Sequence, residues 1–280
     1  MDGRSLHLRG KLACRVALIE TDRELVLLDT GFGLLDVAHP TQRLSRFFLR
    51  LLDPAFREEL TAVRQIERLG FRASDVRHIV LTHLDFDHAG GLDDFPHATV
   101  HMMRAERDDA VAQRSWLDRQ RFRPQQWSSR ARWTTYDAGL GEAWFGFRAV
   151  RDLRGLPPEI LFVPLAGHTL GHAGIAVREG ARWLLLAGDA YFDHDELDPV
   201  HPRCLPGLRF YQWLMEKDRH ARLDNQRRLR ELAQLHPDEV QIVCSHDPRE
   251  LEHDSGRSLD TPIITELAAT PAPVVAPPAP

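Results

Sequence analysis

Residues 79–91 read Ile-Val-Leu-Thr-His-Leu-Asp-Phe-Asp-His-Ala-Gly-Gly. The apolar triplet Ile79-Val80-Leu81 is what a short strand buried on both faces requires. Directly after it come His83, Asp85, Asp87 and His88. In extended chain, positions spaced by two project to one side, so His83, Asp85 and Asp87 share a side and His88 points elsewhere. Four ligand-type side chains at one strand end overfill a single metal site but suit two sites that share them. Gly90 and Gly91 let the backbone turn sharply and approach a bound group closely.

The pattern of an apolar strand followed by a small residue and His or Asp recurs along the chain. Ile160 to Val163 leads to Gly167-His168-Thr169-Leu170-Gly171-His172, Trp183 to Leu186 to Gly188-Asp189, and Val240 to Cys244 to Ser245-His246-Asp247. An early pair, Val16 to Glu20 and Glu24 to Asp29, reads as a hairpin turning at Thr21-Asp22-Arg23 and running into Asp29-Thr30-Gly31. Loops at strand ends, held by a rigid sheet, are where enzymes place reacting groups.

Between these strands lie helices. Leu60, Val63, Ile66 and Leu69 form one stripe over Phe56 to Gly70, with Gly70 as the stop. Arg219 to Leu235 carries Leu229, Leu232 and Leu235 on one side, and a charged helix is expected from about Arg104 to Gln113. Arg43 to Phe56 reads as either a core helix or a flap over a pocket. Residues 114–146 hold four tryptophans and many arginines without clear periodicity and read as an insertion. Strands, helices and loops alternate without a central linker, so a single domain over 1–265 is expected. The tail 266–280 is Pro-rich and expected to be disordered or extended.

Composition narrows the function. Net charge is −5, with 41 Asp+Glu against 36 Lys+Arg, which argues against nucleic-acid binding by bulk charge. The three cysteines, Cys14, Cys204 and Cys244, are too widely spaced for a disulfide framework or a zinc knuckle. With no cysteine in the ligand loops, a metal site would be built from nitrogen and oxygen. The first ten residues contain no apolar run of signal-peptide type, and no apolar stretch is long enough to span a bilayer. The expected location is cytoplasmic, without membrane association. Fifteen histidines are present, and imidazole is the commonest metal ligand.

Thr82-His83-Leu84-Asp85-Phe86-Asp87-His88 resembles the H-x-[HDE]-x-D-H signature of the metallo-β-lactamase superfamily. The other elements follow in that superfamily's order: Asp29-Thr30-Gly31, Gly167 to His172, Gly188-Asp189 and Ser245-His246. The likeness spans about residues 12 to 250 and is nearest the branch containing N-acyl homoserine lactone lactonases. It implies a mixed α/β fold, a four-layer αββα sandwich with metals in a cleft at one edge. It implies that His83, Asp85 and His168 hold one divalent ion, that Asp87, His88 and His246 hold a second, and that Asp189 bridges them. A hydroxide between the ions would be the nucleophile, oriented by Asp87. Asp29 and His172 match positions that hydrogen-bond to ligands without touching metal, and for His172 a plain buried histidine is the competing reading.

Two departures from the family pattern matter. Asp85 stands where the commonest pattern has histidine. Three carboxylates and one hydroxide then cancel two divalent ions, which leaves a neutral core and a weaker Lewis acid than a histidine at 85 would give. Oxygen at 85 also tilts a zinc site towards iron or manganese; zinc is preferred here. Lactonases of the family carry a tyrosine three residues after the bridging aspartate, whereas here Tyr191 is one residue early. Tyr191 is the candidate general acid, with Asp193 and His194 as alternatives. The leading expectation is a binuclear metallohydrolase cleaving an ester or lactone of a small molecule, with Phe47, Phe48, Leu49, Leu51 and Leu52 either lining an acyl pocket or simply packing. A phosphodiesterase using the Arg-rich 114–132 stretch and, further off, a diiron oxidoreductase are the alternatives. Homo-oligomerisation is left open.

Overall fold

The structure, a computed structural model, describes residues 11–21, 24–127, 133–149 and 153–259. The expected Pro-rich tail and part of the Thr21–Arg23 turn lie outside these residues. Eleven strands are described. In the first sheet, β1 (Ala17–Glu20), β2 (Leu25–Leu28), β3 (Val76–Val80), β4 (Thr99–Met103) and β5 (Trp133–Tyr136) lie side by side in that order. The β1–β2 pair is the antiparallel hairpin, and β2 to β5 run parallel. A two-stranded ribbon joins β6 (Glu142–Trp144) to β7 (Phe147–Ala149). The second sheet has the order β11-β10-β9-β8, from β8 (Ile160–Pro164), β9 (Ala173–Glu179), β10 (Arg182–Leu186) and β11 (Val240–Val243).

Strand alternation builds the layers. In β2, Val26 and Leu28 pack with Ile160, Phe162 and Ile175 of the other sheet, making the core between the sheets. Leu25 and Leu27 face the opposite way, towards Ala62, Val63 and Ile66 of the helix Ala62–Arg68. In β8, Leu161 and Val163 turn outward onto Leu229 and Leu232 of the helix Arg219–Leu235. Helix, sheet, sheet and helix therefore stack as the expected αββα sandwich. Each fully buried Leu, Ile or Phe contributes about 1.5–3 kcal/mol to holding the layers together.

Nine α-helices are described, α1 (Leu34–Ala38), α2 (Pro40–Arg43), α3 (Arg46–Leu52), α4 (Ala62–Arg68), α5 (Arg104–Ala112), α6 (Trp116–Arg121), α7 (Pro206–Met215), α8 (Arg219–Leu235) and α9 (Pro248–Ser255). The Arg43–Phe56 segment is helical as α3 and buries Phe48 against Phe86, with ring centroids 4.7 Å apart. The 114–146 stretch has regular structure and joins the first sheet. It supplies β5, which pairs in register with β4, and α6, whose last residue reaches the interior. Its strand is half-buried throughout, which explains why no clear alternation marks it.

Four strands deliver their following loops to one end of the sandwich. Backbone bonds lock these loops together: Asp29 N–H to Val80 O at 3.0 Å, Ala173 N–H to Thr82 O at 3.0 Å and Ser245 N–H to Gly188 O at 3.0 Å. No described helix is long and apolar enough to cross a membrane.

Candidate metal centre

The loops after β3, β8, β10 and β11 bring all seven proposed ligands to one place. Among the described residues, ligand atoms of His83, Asp85 and His168 lie within 4.8 Å of one another, and so do those of His83, His88 and Asp189. Asp189 connects the two sides: its Oδ1 is 3.2 Å from His88 Nε2 and 3.1 Å from His246 Nε2, while its Oδ2 is 3.4 Å from His168 Nε2. Asp87 stands at the outer side, 3.7 Å from His246 Nε2 and 3.9 Å from His88 Nε2.

The imidazoles are aimed from behind. His88 Nδ1 bonds Asp29 Oδ2 at 2.9 Å, and His246 Nδ1 donates to Ala13 O at 2.6 Å. His83 Nδ1 sits 2.9 Å from Thr82 Oγ1, which in turn donates to Asp29 Oδ2 at 2.8 Å. Fixing the outer nitrogen sets the tautomer and turns Nε2 inward, as metal-ligating histidines require. Asp29 thus braces two histidines through one carboxylate. His172 Nε2 accepts the Asp189 N–H at 2.9 Å, and its Nδ1 donates to Leu165 O at 3.0 Å. It holds the backbone of the central aspartate and contributes nothing to the ligand space. Burial, then the neighbouring His168, pulls its pKa down to about 3, so it stays neutral.

The buried carboxylates and imidazoles of the cluster interact strongly with one another. Burial would raise the Asp85 and Asp189 carboxyls, but neighbouring positive groups overcome it, Arg121 at Asp85 and His246 with His88 at Asp189, and both lie well below the ordinary range. Burial would likewise strip the protons from His88 and His246, yet Asp189 above all holds both well above the usual imidazole range. Burial and then His88 keep His83 well below it. His83 Nε2 and Asp189 Oδ1 are buried without a hydrogen-bond partner. Orphaned buried acceptors cost about 1–3 kcal/mol each unless something satisfies them, and inward nitrogens with buried carboxylates fit divalent cations.

Three expectations change. First, Tyr191 does not join the cluster. Its ring is buried in the outer core of the second sheet and its hydroxyl donates to Glu250 Oε1 at 2.8 Å. The chain turns after Asp189 so that the next ring, Phe192, stacks on His246 at 5.0 Å instead. Asp193 and His194 turn to a separate network with Arg249 and Asp247. The phenol near the cluster is Tyr211 of α7, edge-on to Phe192 at 5.6 Å. Burial, then Asp87, Asp85 and Asp189, push its pKa well up. Second, the cluster is not free of sulfur. Backbone bonds from Ala13 and Arg15 to the His246 loop bring Cys14 alongside, within 4.8 Å of the ligand atoms of Asp87 and His246. Third, the neutral-core arithmetic omits Arg121, fully buried and in contact with Asp85 through Nε at 2.7 Å and Nη2 at 2.5 Å. Its positive charge raises the core by one unit.

Glu106 ties the loops to α5. Its carboxylate accepts from Leu84 N–H at 2.8 Å, Thr169 Oγ1 at 2.5 Å and Gly171 N–H at 3.2 Å. Nothing in the charged α5 pattern singled it out, because its role depends on two loops distant in sequence. The signal for α7 was present, in Leu208, Gln212 and Met215 buried at helical spacing.

Comparison with known proteins agrees with this architecture. Residues 9–246 match the family model of the Metallo-beta-lactamase superfamily. The chain belongs to that superfamily and is a hydrolase of its kind. A probable metallo-hydrolase of Mycobacterium tuberculosis is 44% identical over 237 residues, which cover 85% of this chain and 75% of that protein. An N-acyl homoserine lactonase of Azorhizobium caulinodans is 29% identical over 201 residues, 70% of this chain and 67% of its own length. A solved N-acyl homoserine lactone hydrolase, with the product N-hexanoyl-L-homoserine bound at its catalytic metal center, shares the fold. Its TM-score is 0.63 at 21% identity, over 89% of this chain and 86% of that one.

Proposed function

We propose that this chain hydrolyses an ester or lactone bond of a small molecule, using two divalent ions with zinc preferred. The observation that carries the reading is the placement of Asp189 between His83, Asp85 and His168 on one side and Asp87, His88 and His246 on the other. Divalent ions held there supply Lewis acidity and lower the pKa of water, the requirements for acyl hydrolysis at neutral pH. Asp87, the least buried of the three carboxylates, would serve as the base that orients such a water. Tyr211 replaces Tyr191 as the phenol that donates to substrate oxygen.

Apolar surface for the acyl part lies alongside. Phe47 and Leu52 of α3 and Phe32 are half-buried around Phe48 and Phe86, the latter between Asp85 and Asp87 in the chain. The lactonase among the relatives favours this substrate class. Three of the arginines described in the Arg-rich stretch are already engaged, Arg121 with Asp85, Arg123 Nε with Arg43 O at 2.9 Å and Arg119 with Gln113 O at 3.2 Å, and these do not favour a phosphodiester. A panel of p-nitrophenyl esters, an acyl homoserine lactone and bis-p-nitrophenyl phosphate, each with zinc-loaded protein, tests the proposal. Turnover of the ester or lactone is expected. Activity confined to the phosphodiester would overturn it.

A further inference from the structure

Arg121 is an unusual presence beside proposed metal ligands. An arginine has no business in a cation site unless an anion there needs it, because burying a guanidinium costs several kcal/mol before its partners repay it. Here the side chain is fully buried and its donors are matched. Nε and Nη2 form a fork on the two oxygens of Asp85, Nη2 also lies 2.9 Å from His168 Nε2, and Nη1 reaches Met215 O at 2.5 Å. Met215 is the last residue of α7, where the helix dipole favours a cation. The arm that delivers Arg121 is fixed as well. Ser115 and Asp118 form a capping box at the start of α6, and Asp118 is bonded to Lys217 Nζ at 2.7 Å.

We infer that Arg121 is a positioning residue, the charge partner that allows Asp85 to stand in the ligand set where a neutral imidazole would otherwise serve. This inference rests on the two-metal reading above. The fork fixes the carboxylate plane and directs Oδ2 towards His168 Nε2 at 2.9 Å and His83 Nε2 at 3.3 Å. The Asp85–Arg121 pair carries no net charge, so to a metal it presents one oxygen donor without adding negative charge to the core. Arg121 and Asp85 thus act as one unit, the guanidinium compensating the buried carboxylate before an ion binds.

A double-variant cycle tests this on the full chain: wild type, Asp85→His, Arg121→Met and Asp85→His/Arg121→Met, each scored for bound zinc per chain and for zinc affinity by competition with a chelating dye. Asp85→His alone leaves the guanidinium unpaired beside a cation, and its weaker zinc site is expected to lose at least tenfold in affinity. The double variant is expected to regain at least tenfold over Asp85→His and to hold two ions. Wild-type affinity in Asp85→His, or a double variant no tighter than Asp85→His, would overturn the pairing while leaving the two-metal reading intact. Wild type that never exceeds one ion per chain would overturn both. Should Asp85→His not fold, thermal shifts of Arg121→Met and Arg121→Lys decide. Zinc should raise the melting temperature of Arg121→Met by more than that of wild type or Arg121→Lys, because only Arg121→Met leaves the Asp85 carboxylate buried without a cation until zinc binds. Equal shifts in all three would overturn the pairing.

Discussion

Replacing Asp189 with alanine is expected to lower kcat/KM on the preferred ester or lactone by about 10³-fold or more and to reduce bound zinc from two ions per chain to one or none. The carboxylate faces both halves of the cluster, 3.1 Å from His246 Nε2 through Oδ1 and 3.4 Å from His168 Nε2 through Oδ2. Its loss also removes the carboxylate oxygen that stands 3.2 Å from His88 Nε2 and 3.1 Å from His246 Nε2. The fold is expected to survive, because the backbone N–H of residue 189 still bonds His172 and the side chain packs no core. Metal analysis and steady-state kinetics on the same preparation check this. Wild-type activity with two ions bound would contradict the shared role of Asp189.

The second large effect is structural. Gly171→Ala is expected to destabilise the protein by about 3 kcal/mol or more. A Cβ at residue 171 would stand 2.0 Å from Glu106 N and 2.5 Å from Glu106 Cα, both at the start of α5. Neither atom is the end of a flexible chain, so the whole His168 loop must retreat. Retreat breaks the Glu106 bonds to Thr169 and Gly171 and moves His168 off the cluster. Gly139→Ala, where a Cβ meets nothing within 4 Å, is the matched control and is expected to change stability by less than about 0.5 kcal/mol. Urea unfolding of the three proteins in chelator reads the difference directly. A loss below about 1 kcal/mol for Gly171→Ala would mean that the loop can shift freely.

The parts of this site that the sequence made legible are those in which chemistry follows directly on a strand. His83 to His88, His168 to His172, Asp189 and His246 each sit within a few residues of an apolar run, so strand position and ligand position come from the same local pattern. The sandwich was legible only through the family resemblance that these loops carry, and the apolar run of β3 agreed with a sheet covered on both faces. What was not legible came from elsewhere in the chain. Arg121 ends a short helix in a stretch without clear periodicity, Tyr211 rides on α7, and Cys14 is brought in by backbone bonds to the His246 loop. Each depends on tertiary packing that no spacing encodes. Tyr191 failed for a related reason: closeness to Asp189 in sequence does not set the direction of a side chain in an irregular loop, and this one turns into the core to meet Glu250. The neutral charge balance failed because it summed the ligands alone and left out the guanidinium paired with one of them.

Two divalent ions are expected to share Asp189, whose Oδ1 and Oδ2 face opposite halves of the cluster. Crystals of zinc-loaded protein measured above and below the zinc absorption edge test it most directly. The expected map has two anomalous peaks about 3.5–4 Å apart, one among His83, Asp85 and His168 and the other among Asp87, His88 and His246, with Asp189 touching both. A single peak, or two peaks without Asp189 between them, would rule out a shared Asp189.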